Sequence, residues 1–371
     1  MYLETHMFVL SGFSGVKEAI KADFKERLPK FHKSRCEGLT LLSSIMLDVR
    51  SANLMELSSA LPRDIGTNDH RYQYVSRILS NTHIDCSEVM QAYAGDVFAR
   101  LASNGQTIVL MIDQSHINDG HEVLMVSVRM RDRALPVAWR VRKTKGNIGY
   151  PIQKELLDSI ENWVPEGADV LLTADRFYGT EKVVHWCQKA RWGYRIRLKG
   201  NLTLQHQGGE LSCAEIIDLM PQGLINAELY GSGVRTNIGV LHEAGHPEPW
   251  IIAMDAKPSR YTVLDYGMRW GIEAMFSDFK TRGFGIAQSQ IKKPDRLERL
   301  ILIMAIAMYW AVSTGAADEQ IVAKNGKKRG VRKTQRSLCS LFKQRLRFLR
   351  RCFIGYQKVP KLWQVWIFEG W

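Results

Sequence analysis

The sequence predicts a mixed α/β protein, and three observations support this prediction. Residues 1–100 carry apolar residues at helical spacing, and residues 105–199 alternate short apolar runs with amphipathic segments. Residues 200–249 are rich in glycine and have no long period. A chain of 371 residues is long enough for two or three domains with at least one large buried core.

The composition of the chain indicates its cellular location. Hydrophobic residues make up 45% of the chain, as in ordinary soluble proteins. The N-terminus has no basic start before a long apolar run, so we expect no signal peptide. The most apolar stretch, residues 300–312, is shorter than the roughly 20 residues that span a bilayer, which predicts a buried helix. The six scattered cysteines favour a reducing compartment and disfavour structural zinc. We expect a cytoplasmic protein without a membrane partner.

The first segment, residues 1–104, is predicted to be a helical DNA-binding domain. Apolar spacing indicates three short helices, at residues 39–49, 54–61 and 70–79. Such a group is typical of a helix-turn-helix unit, with Arg71 and Arg77 on its third helix. The alternative is a helical bundle that does not contact DNA.

The sheet follows from residue 105 onward. The predicted elements are a strand at 107–113, strands at 121–129 and 135–142, a helix at 152–163, a strand at 168–175, a helix at 181–190 and a strand at 194–199. After an insertion rich in β-structure at 200–249, the strand 250–255 resumes the core. This is the element order of a ribonuclease H-like domain, comprising residues 105–199 and 250–315.

The segment "YGMRWGIEAMFSDFK", residues 266–280, is predicted to be a helix with an unusual stripe. Its polar groups Tyr266, Arg269, Glu273 and Lys280 are spaced by three, four and seven residues. In a continuous α-helix these steps place all four on one face. A core face would not contain such groups, which indicates a functional surface.

Three carboxylates suggest a chemistry. Asp113 and Asp175 each end an apolar strand, and Glu273 lies on the helix that can pack across that edge. Carboxylates gathered in one place repel one another unless cations neutralise them. Oxygen ligands without nearby histidine or cysteine favour Mg²⁺, or Mn²⁺ in its place, and two such ions can transfer phosphoryl groups. Taken singly, each acid is more often a turn, cap or solvated residue.

These motifs resemble a known family, the DDE transposases of bacterial insertion sequences, and within it the insertion-sequence-four group. The family signature Y-x2-R-x3-E-x6-K fits residues 266–280 at every position. The stretches "MIDQS" and "TADRFYG" resemble the motifs around the first and second acids. The resemblance covers about residues 105–315, and the N-terminal part only in general character.

The resemblance assigns roles to single residues. It implies that Asp113, Asp175 and Glu273 hold two metal ions. The residues that it places on DNA are Tyr266, Arg269 and Lys280 on phosphates of the transposon end, Arg197 and Lys199 on the DNA backbone, and Trp250 on a base flipped from the duplex. Because the spacing from Trp250 to Tyr266 is short for the family, Trp250 is equally well interpreted as a core residue.

The function implied is cut-and-paste transposition through hairpin intermediates. The protein would bind the terminal inverted repeats of its element as double-stranded DNA, form a homodimer in the synaptic complex, and join the ends to target DNA in the bacterial nucleoid. The chain has no glycine-rich phosphate-binding motif, so no nucleotide cofactor is expected. Two alternatives remain: a metal-dependent nuclease or resolvase on the same fold, and a catalytically silent DNA-binding derivative.

The C-terminal region, residues 316–371, is strongly basic. Residues 324–351 contain twelve lysines or arginines and no acid, while the whole chain has a net charge of +13. Leucine and phenylalanine recur at helical spacing in the second half of this block. We expect a basic helix that contacts nucleic acid, with a solvated tail as the alternative.

Overall fold

The computed structural model describes residues 12–62, 66–118, 120–131, 133–219, 223–242, 248–329, 346, 349–354 and 359–364. The chain forms two compact units. The first contains Met1–Ala92, Ile117–Asp119 and Phe276–Trp371, and the second contains Tyr93–His116 and Gly120–Met275.

Helices build the first unit. They are α1 (Gly12–Arg27), α2 (Lys33–Val49), α3 (Leu54–Ser59) and α4 (Asn68–Leu79), followed by α5 (Cys86–Ser103) at the boundary of the units. Side-chain caps set two of the starts, because Asn53 accepts the Met55 N–H and Thr67 accepts the His70 N–H. The three helices predicted between residues 39 and 79 are therefore present, each with bounds shifted by a few residues.

A long apolar helix, α11 (Pro294–Arg329), completes the core of the first unit. It packs against α2 and α4. Its segment Pro294–Gly315 has the length and hydropathy of a membrane span, but 94% of the apolar window is buried inside the protein. This is the buried helix that the sequence predicts for residues 300–312.

A ten-stranded sheet forms the second unit. Its strands are β1 (Ile108–Asn118), β2 (His121–Met130), β3 (Arg133–Lys143), β4 (Val170–Ala174), β5 (Gly193–Arg197), β6 (Thr203–His206), β7 (Gly209–Ser212), β8 (Leu224–Leu229), β9 (Arg235–Leu241) and β10 (Trp250–Met254). Their order across the sheet is β3-β2-β1-β4-β5-β10-β9-β8-β6-β7. The predicted mixed α/β class, with a large sheet, is confirmed.

Strand direction separates two halves of the sheet. β1, β4 and β5 run parallel, whereas β10 pairs antiparallel with both β5 and β9. The order β3-β2-β1-β4-β5 in the first half is consistent with a ribonuclease H-like domain. The segment predicted as an insertion does not form a separate sheet, since β6 to β9 continue the same sheet beyond β10.

Short helices lie between the strands of this unit and after its last strand. They are α6 (Tyr150–Glu161), α7 (Glu181–Ala190), α8 (Cys213–Leu219), α9 (Arg260–Leu264), a 3-10 helix (Asp265–Trp270) and α10 (Gly271–Phe279), which continues into the first unit. A second 3-10 helix, Ile286–Ser289, belongs to the first unit.

Two predictions about these elements are wrong. β1 does not end at Asp113 but continues to Asn118, because its polar second half bonds across to Glu122 on β2. Residues 266–280 are not one α-helix, since they begin as a 3-10 helix and α10 ends at residue 279. Two glycines, Gly267 and Gly271, weaken the α-helical preference of this segment.

The compact units differ from the domain boundaries expected from sequence. The expected catalytic domain includes residues 250–315, whereas residues 276–315 group with the N-terminal helices because α11 packs on α2 and α4. Of the basic block at residues 324–351, residues 330–345, 347 and 348 lie outside the described residues.

Candidate active site

Two of the predicted acids lie side by side on neighbouring parallel strands. In the register of β1 and β4, Ile112 pairs with Ala174, so the residues that follow them are Asp113 and Asp175. Neighbouring strands in a sheet are about 4.8 Å apart. The parallel pairing therefore brings both carboxylates to the same edge.

Asp113 is less exposed than Glu273, the third acid. Its side chain is 17% exposed, Oδ1 accepts the Gln114 N–H at 2.8 Å, and Oδ2 accepts Nη1 of Arg269 at 3.2 Å. The pKa of Asp113 is raised to about 6, mainly by burial; Arg269 opposes this rise, and the charges of Asp175 and Glu273 contribute to it. Burial therefore disfavours the ionised form of Asp113, even beside an arginine.

A tight turn fixes the second acid. Asp175 follows β4 directly, and its Oδ1 accepts the Phe177 N–H at 2.8 Å. The Asp175 carbonyl accepts the Tyr178 N–H at 3.0 Å. A Cβ at Gly179 would collide with the carbonyl oxygen of Arg197, so only glycine lets the turn pack this closely on β5.

Arg269 links the third acid to the first. Its side chain is 11% exposed, and its Nη2 donates to Oε1 of Glu273 at 2.7 Å while Nη1 donates to Asp113. Gly271 lets this segment approach β3, because a Cβ there would lie 3.1 Å from the carbonyl oxygen of Arg133. Glu273 itself is 55% exposed, so the arginine joins a buried carboxylate to an accessible one.

Asp113, Asp175 and Glu273 are side chains of the kind that bind divalent cations. Three carboxylates form an all-oxygen donor set, which hard cations such as Mg²⁺ prefer. The raised pKa of Asp113 arises mainly from burial, with a smaller contribution from the neighbouring carboxylates. As the side chains stand, no group of three His, Cys, Asp or Glu within the described ranges is positioned to hold an ion. The Arg269 guanidinium supplies the positive charge in this arrangement.

Tyr266 and Trp250 lie in the hydrophobic core beside this site. They are 2% and 3% exposed, and they share a cluster with Leu241, Ile252, Met254 and Val263. The ring centroids of Trp250 and Tyr266 are 5.2 Å apart, edge to face. Stacking on a flipped base requires an accessible ring, so the burial of Trp250 agrees with its interpretation as a core residue.

An accessible aromatic residue lies next to Trp250. Trp270 is 41% exposed, and its ring centroid is 5.4 Å from that of Trp250. It directly follows Arg269 in the chain. The sequence motif did not single out Trp270, because the spacing of aromatic residues does not distinguish a buried ring from an exposed one.

The two predicted backbone contacts on and after β5 have different surroundings. Nη2 of Arg197 donates to Glu248 at 3.1 Å and to the Pro249 carbonyl at 3.4 Å. Lys199 is exposed, and its Nζ lies 5.4 Å from the ring centroid of Phe177, which is 53% exposed. Arg197 is therefore held by an acid, whereas Lys199 projects into solvent over an aromatic ring.

Lys280 belongs to the first compact unit, unlike the other predicted site residues. It is the first residue after α10 and lines a cavity of about 390 Å³ together with Arg50, Ser51 and Glu56. Its place on a common helical stripe with Tyr266 is not observed, because the segment begins as a 3-10 helix and α10 ends before Lys280.

Sequence reasoning missed a buried tyrosine at the acids. Tyr178 is 1% exposed, and its hydroxyl has no hydrogen-bond partner in the described part of the chain. Burial raises the pKa of Tyr178 well above its usual range, and the negative charges of Asp113 and Asp175 raise it further. The residue lies within "TADRFYG", but nothing in that motif reveals an unpaired hydroxyl.

A polar network on β1 was also missed. Glu122 on β2 accepts from Gln114 at 3.1 Å, and its other oxygen lies 2.9 Å from Nδ1 of His116. Gln114 also accepts the Ile148 N–H at 2.8 Å. This network holds the backbone directly after Asp113.

Adjacent acids on parallel strands, with a third acid on the same arginine, define an acidic site on a mixed α/β sheet, as in enzymes that transfer phosphoryl groups. The family model described as "Transposase DDE domain" matches residues 149–310. The match contains Asp175 and Glu273 and begins after Asp113. It supports a DDE transposase, an enzyme that acts on DNA and belongs to a class that generally uses divalent metals. No curated protein matches the sequence.

Proposed function

We propose that this protein is the transposase of a bacterial insertion sequence of the insertion-sequence-four group. It binds the terminal inverted repeats of its element, cleaves the DNA ends and joins them to target DNA. The observation that carries the proposal is the pairing of Asp113 with Asp175 on parallel strands, with Glu273 bound to the same arginine as Asp113.

In this function Asp113, Asp175 and Glu273 would hold two Mg²⁺ ions, or Mn²⁺ in their place. Bound ions of this kind activate the attacking oxygen and stabilise the leaving oxygen of a phosphodiester. The chain contributes position and charge. The Gln114 N–H keeps one oxygen of Asp113 in place, and the Phe177 N–H does the same for Asp175.

Arg269 serves the DNA as well as the acids. Its guanidinium is nearly buried and already bonded to two carboxylates, so its position changes little when a phosphate arrives. Tyr266 also contacts this guanidinium, since the Arg269 Cζ lies 5.8 Å from the Tyr266 ring centroid. Phosphates of the transposon end would therefore meet a fixed guanidinium, with Lys199 as a further cation, while Arg197 is bonded to Glu248. Lys280 would be a phosphate contact of the first unit.

A flipped base would stack on Trp270. Trp250, which the resemblance suggests for this role, is 3% exposed, whereas the neighbouring Trp270 ring is 41% exposed. Stacking of a base on an aromatic ring is worth roughly 1–3 kcal/mol. We assign Trp250 to supporting the Trp270 ring from the core side.

The steps that follow are those of hairpin transposition. Water attacks one strand at the transposon end, and the freed 3′-OH attacks the opposite strand to close a hairpin. Water then opens the hairpin, and the 3′-OH attacks target DNA. A homodimer would hold two ends together, in the cytoplasm and at the nucleoid.

The experiment uses the DNA that flanks the reading frame as substrate. Labelled duplexes carrying its terminal repeats are incubated with Mg²⁺ and a target plasmid, and nicked, hairpin and joined products are separated. All three are expected. Cleavage without joined product would indicate a nuclease or resolvase, and binding without cleavage would indicate a catalytically silent derivative.

A matched pair of variants controls this experiment. Asp175 directly follows β4 and Asp169 directly precedes it, so the two lie at opposite ends of one strand. Asp175→Asn is expected to abolish all three products, and Asp169→Asn to leave them unchanged. Equal activity of both variants would contradict the proposed site.

A further inference from the structure

A cationic groove lies within the first compact unit, outside the acidic site. It is a cavity of about 600 Å³ between α3 and α4 on one side and residues 288–296 on the other. Three of the described residues that line it are cationic: Lys292, Lys293 and Arg296. The described lining contains no Asp or Glu. The adjacent carboxylate of Asp295 is bonded to Arg299 at 2.9 Å, and Arg296 also interacts with it electrostatically.

The walls of this groove are fixed to each other. The Ala52 N–H donates to the Phe284 carbonyl at 2.6 Å, which joins the start of α3 to the segment after α10. Arg299, which is buried, donates to the carbonyls of Leu79 at 3.0 Å and Ile84 at 3.4 Å. The groove is thus a built feature rather than a gap between loose segments.

A second cavity, which contains Lys280, adjoins the groove at Gln288. Gln288 lines both cavities, and the smaller one adds the cations Arg50 and Lys280, together with one acid, Glu56. The two cavities therefore share Gln288, and both contain cationic side chains.

The remaining lining also suits a nucleic acid. The lining also includes the hydroxyl of Ser76, the amides of Gln288 and Gln290, and the Tyr72 side chain, which is 38% exposed. Phosphate oxygens are bound by such hydroxyl, amide and cationic groups together. Interfaces with DNA are also more polar and more positive than interfaces between proteins.

We propose that this groove binds the sugar–phosphate backbone of duplex DNA, with Lys292, Lys293 and Arg296 as phosphate contacts. The choice of DNA over another polyanion rests on the proposed transposase function. The groove then extends the path of the duplex along α3 and α4 from the phosphate that Lys280 would contact.

The test is the salt dependence of binding to a duplex that carries the flanking repeat, measured by fluorescence anisotropy. The groove variant combines Lys292→Gln, Lys293→Gln and Arg296→Gln. The matched control combines Lys25→Gln, Lys30→Gln and Lys33→Gln, three exposed lysines of the same unit with the same total charge change. Thermal melting verifies that both variants fold.

Each phosphate that a variant no longer neutralises should lower the log–log salt slope by roughly 0.9, so the slope of the groove variant should fall by about 2.7. The control should keep the slope of the unmodified protein. An unchanged slope in the groove variant, or an equal decrease in the control, would overturn the proposal. Should the triple variant melt early, the double variant of Lys292 and Lys293 is measured, with an expected decrease of about 1.8.

Two further measurements separate this proposal from the proposed function. Asp175→Asn should bind with the slope of the unmodified protein while failing to nick. The matched control variant should nick like the unmodified protein. If the unmodified protein nicks but the groove variant retains its slope, the groove proposal alone fails. Preference of the groove for duplex RNA in competition would also overturn it.

Discussion

The acidic site of the second unit and the cationic groove of the first treat charge in opposite ways. In the acidic site, one guanidinium serves two carboxylates, and burial raises the pKa of Asp113 to about 6. In the groove, three cations line a cavity whose described lining has no acid. In the first region carboxylates outnumber the cation that binds them, and in the second the described lining contains cations and no carboxylate.

The difference indicates what each region binds. A protein gains nothing by gathering like charges unless a ligand neutralises them. The acidic site calls for cations, which would act in the chemical step, whereas the groove calls for an extended anion and would provide affinity. Catalysis and binding should therefore be separable by mutation.

The largest effect expected is on catalysis. Substituting a residue that only supports a metal ligand typically lowers activity roughly 10–100-fold. Asp113→Asn, Asp175→Asn and Glu273→Gln should each lower nicking by more than this, because each removes a proposed metal ligand itself. Affinity for end DNA should stay within a few-fold, since it arises mostly from phosphate contacts. Nicking rates and anisotropy on the same duplex measure both quantities. Any variant that nicks at the unmodified rate would exclude its residue from the site.

A pair of tryptophans tests whether the core beneath the acidic site is structural. Trp250→Ala should lower the free energy of unfolding by roughly 3–5 kcal/mol, because the ring is fully enclosed in the core. Trp270→Ala should cost only about 1 kcal/mol, the value of one aromatic contact, yet reduce hairpin formation relative to nicking. Urea unfolding and product analysis measure the two effects. If Trp270→Ala were more destabilising than Trp250→Ala, base stacking would be assigned to Trp250 instead of Trp270.

Much of the fold could be predicted because local patterns determine it. The helix at residues 181–190 has the predicted bounds, since apolar periodicity and a Thr180 cap define it. The juxtaposition of Asp113 and Asp175 follows from the parallel pairing of two strands, in which Ile112 lies opposite Ala174. These features depend on neighbours in the chain or on the general geometry of sheets.

What could not be predicted depends on distant contacts. β1 extends past Asp113 because Glu122 bonds to its polar half. The burial of Trp250 requires Tyr266, which packs on it from another element. The link through Arg269 joins residues 156 positions apart, and no spacing rule reports it.

The raised pKa of Asp113 makes stability depend on pH in the metal-free protein. Its folded-state pKa, about 6, lies above the ordinary value, so protonated Asp113 favours the folded state. This contribution is complete below about pH 4 and is lost as the pH rises through 6. Relative to Asp113→Asn, the unmodified protein should lose up to about 3 kcal/mol between pH 4 and pH 7.

Urea unfolding in EDTA across this pH range measures the change. At pH 7, Mg²⁺ should restore stability to the unmodified protein more than to Asp113→Asn, at matched ionic strength, because ligands that bind the folded state stabilise it. A pH-independent difference between the two proteins would show that Asp113 is adequately neutralised by Arg269 alone.

The smallest effect expected concerns the unpaired hydroxyl beside the acids. Tyr178 and Tyr194 are both almost fully buried in the second unit. The Tyr194 hydroxyl bonds to Thr236 at 2.9 Å and to Gln188 at 3.2 Å, whereas the Tyr178 hydroxyl has no partner within the described residues. A buried polar group without a hydrogen bond lowers stability, while a bonded one typically contributes about 1 kcal/mol. Tyr178→Phe should therefore leave the free energy of unfolding unchanged or raise it, and Tyr194→Phe should lower it by about 1 kcal/mol. If Tyr178→Phe destabilises the metal-free protein as much as Tyr194→Phe does, the Tyr178 hydroxyl must donate a hydrogen bond to one of the acids in solution. The acidic site would then contain one hydrogen-bond donor more than the structure shows.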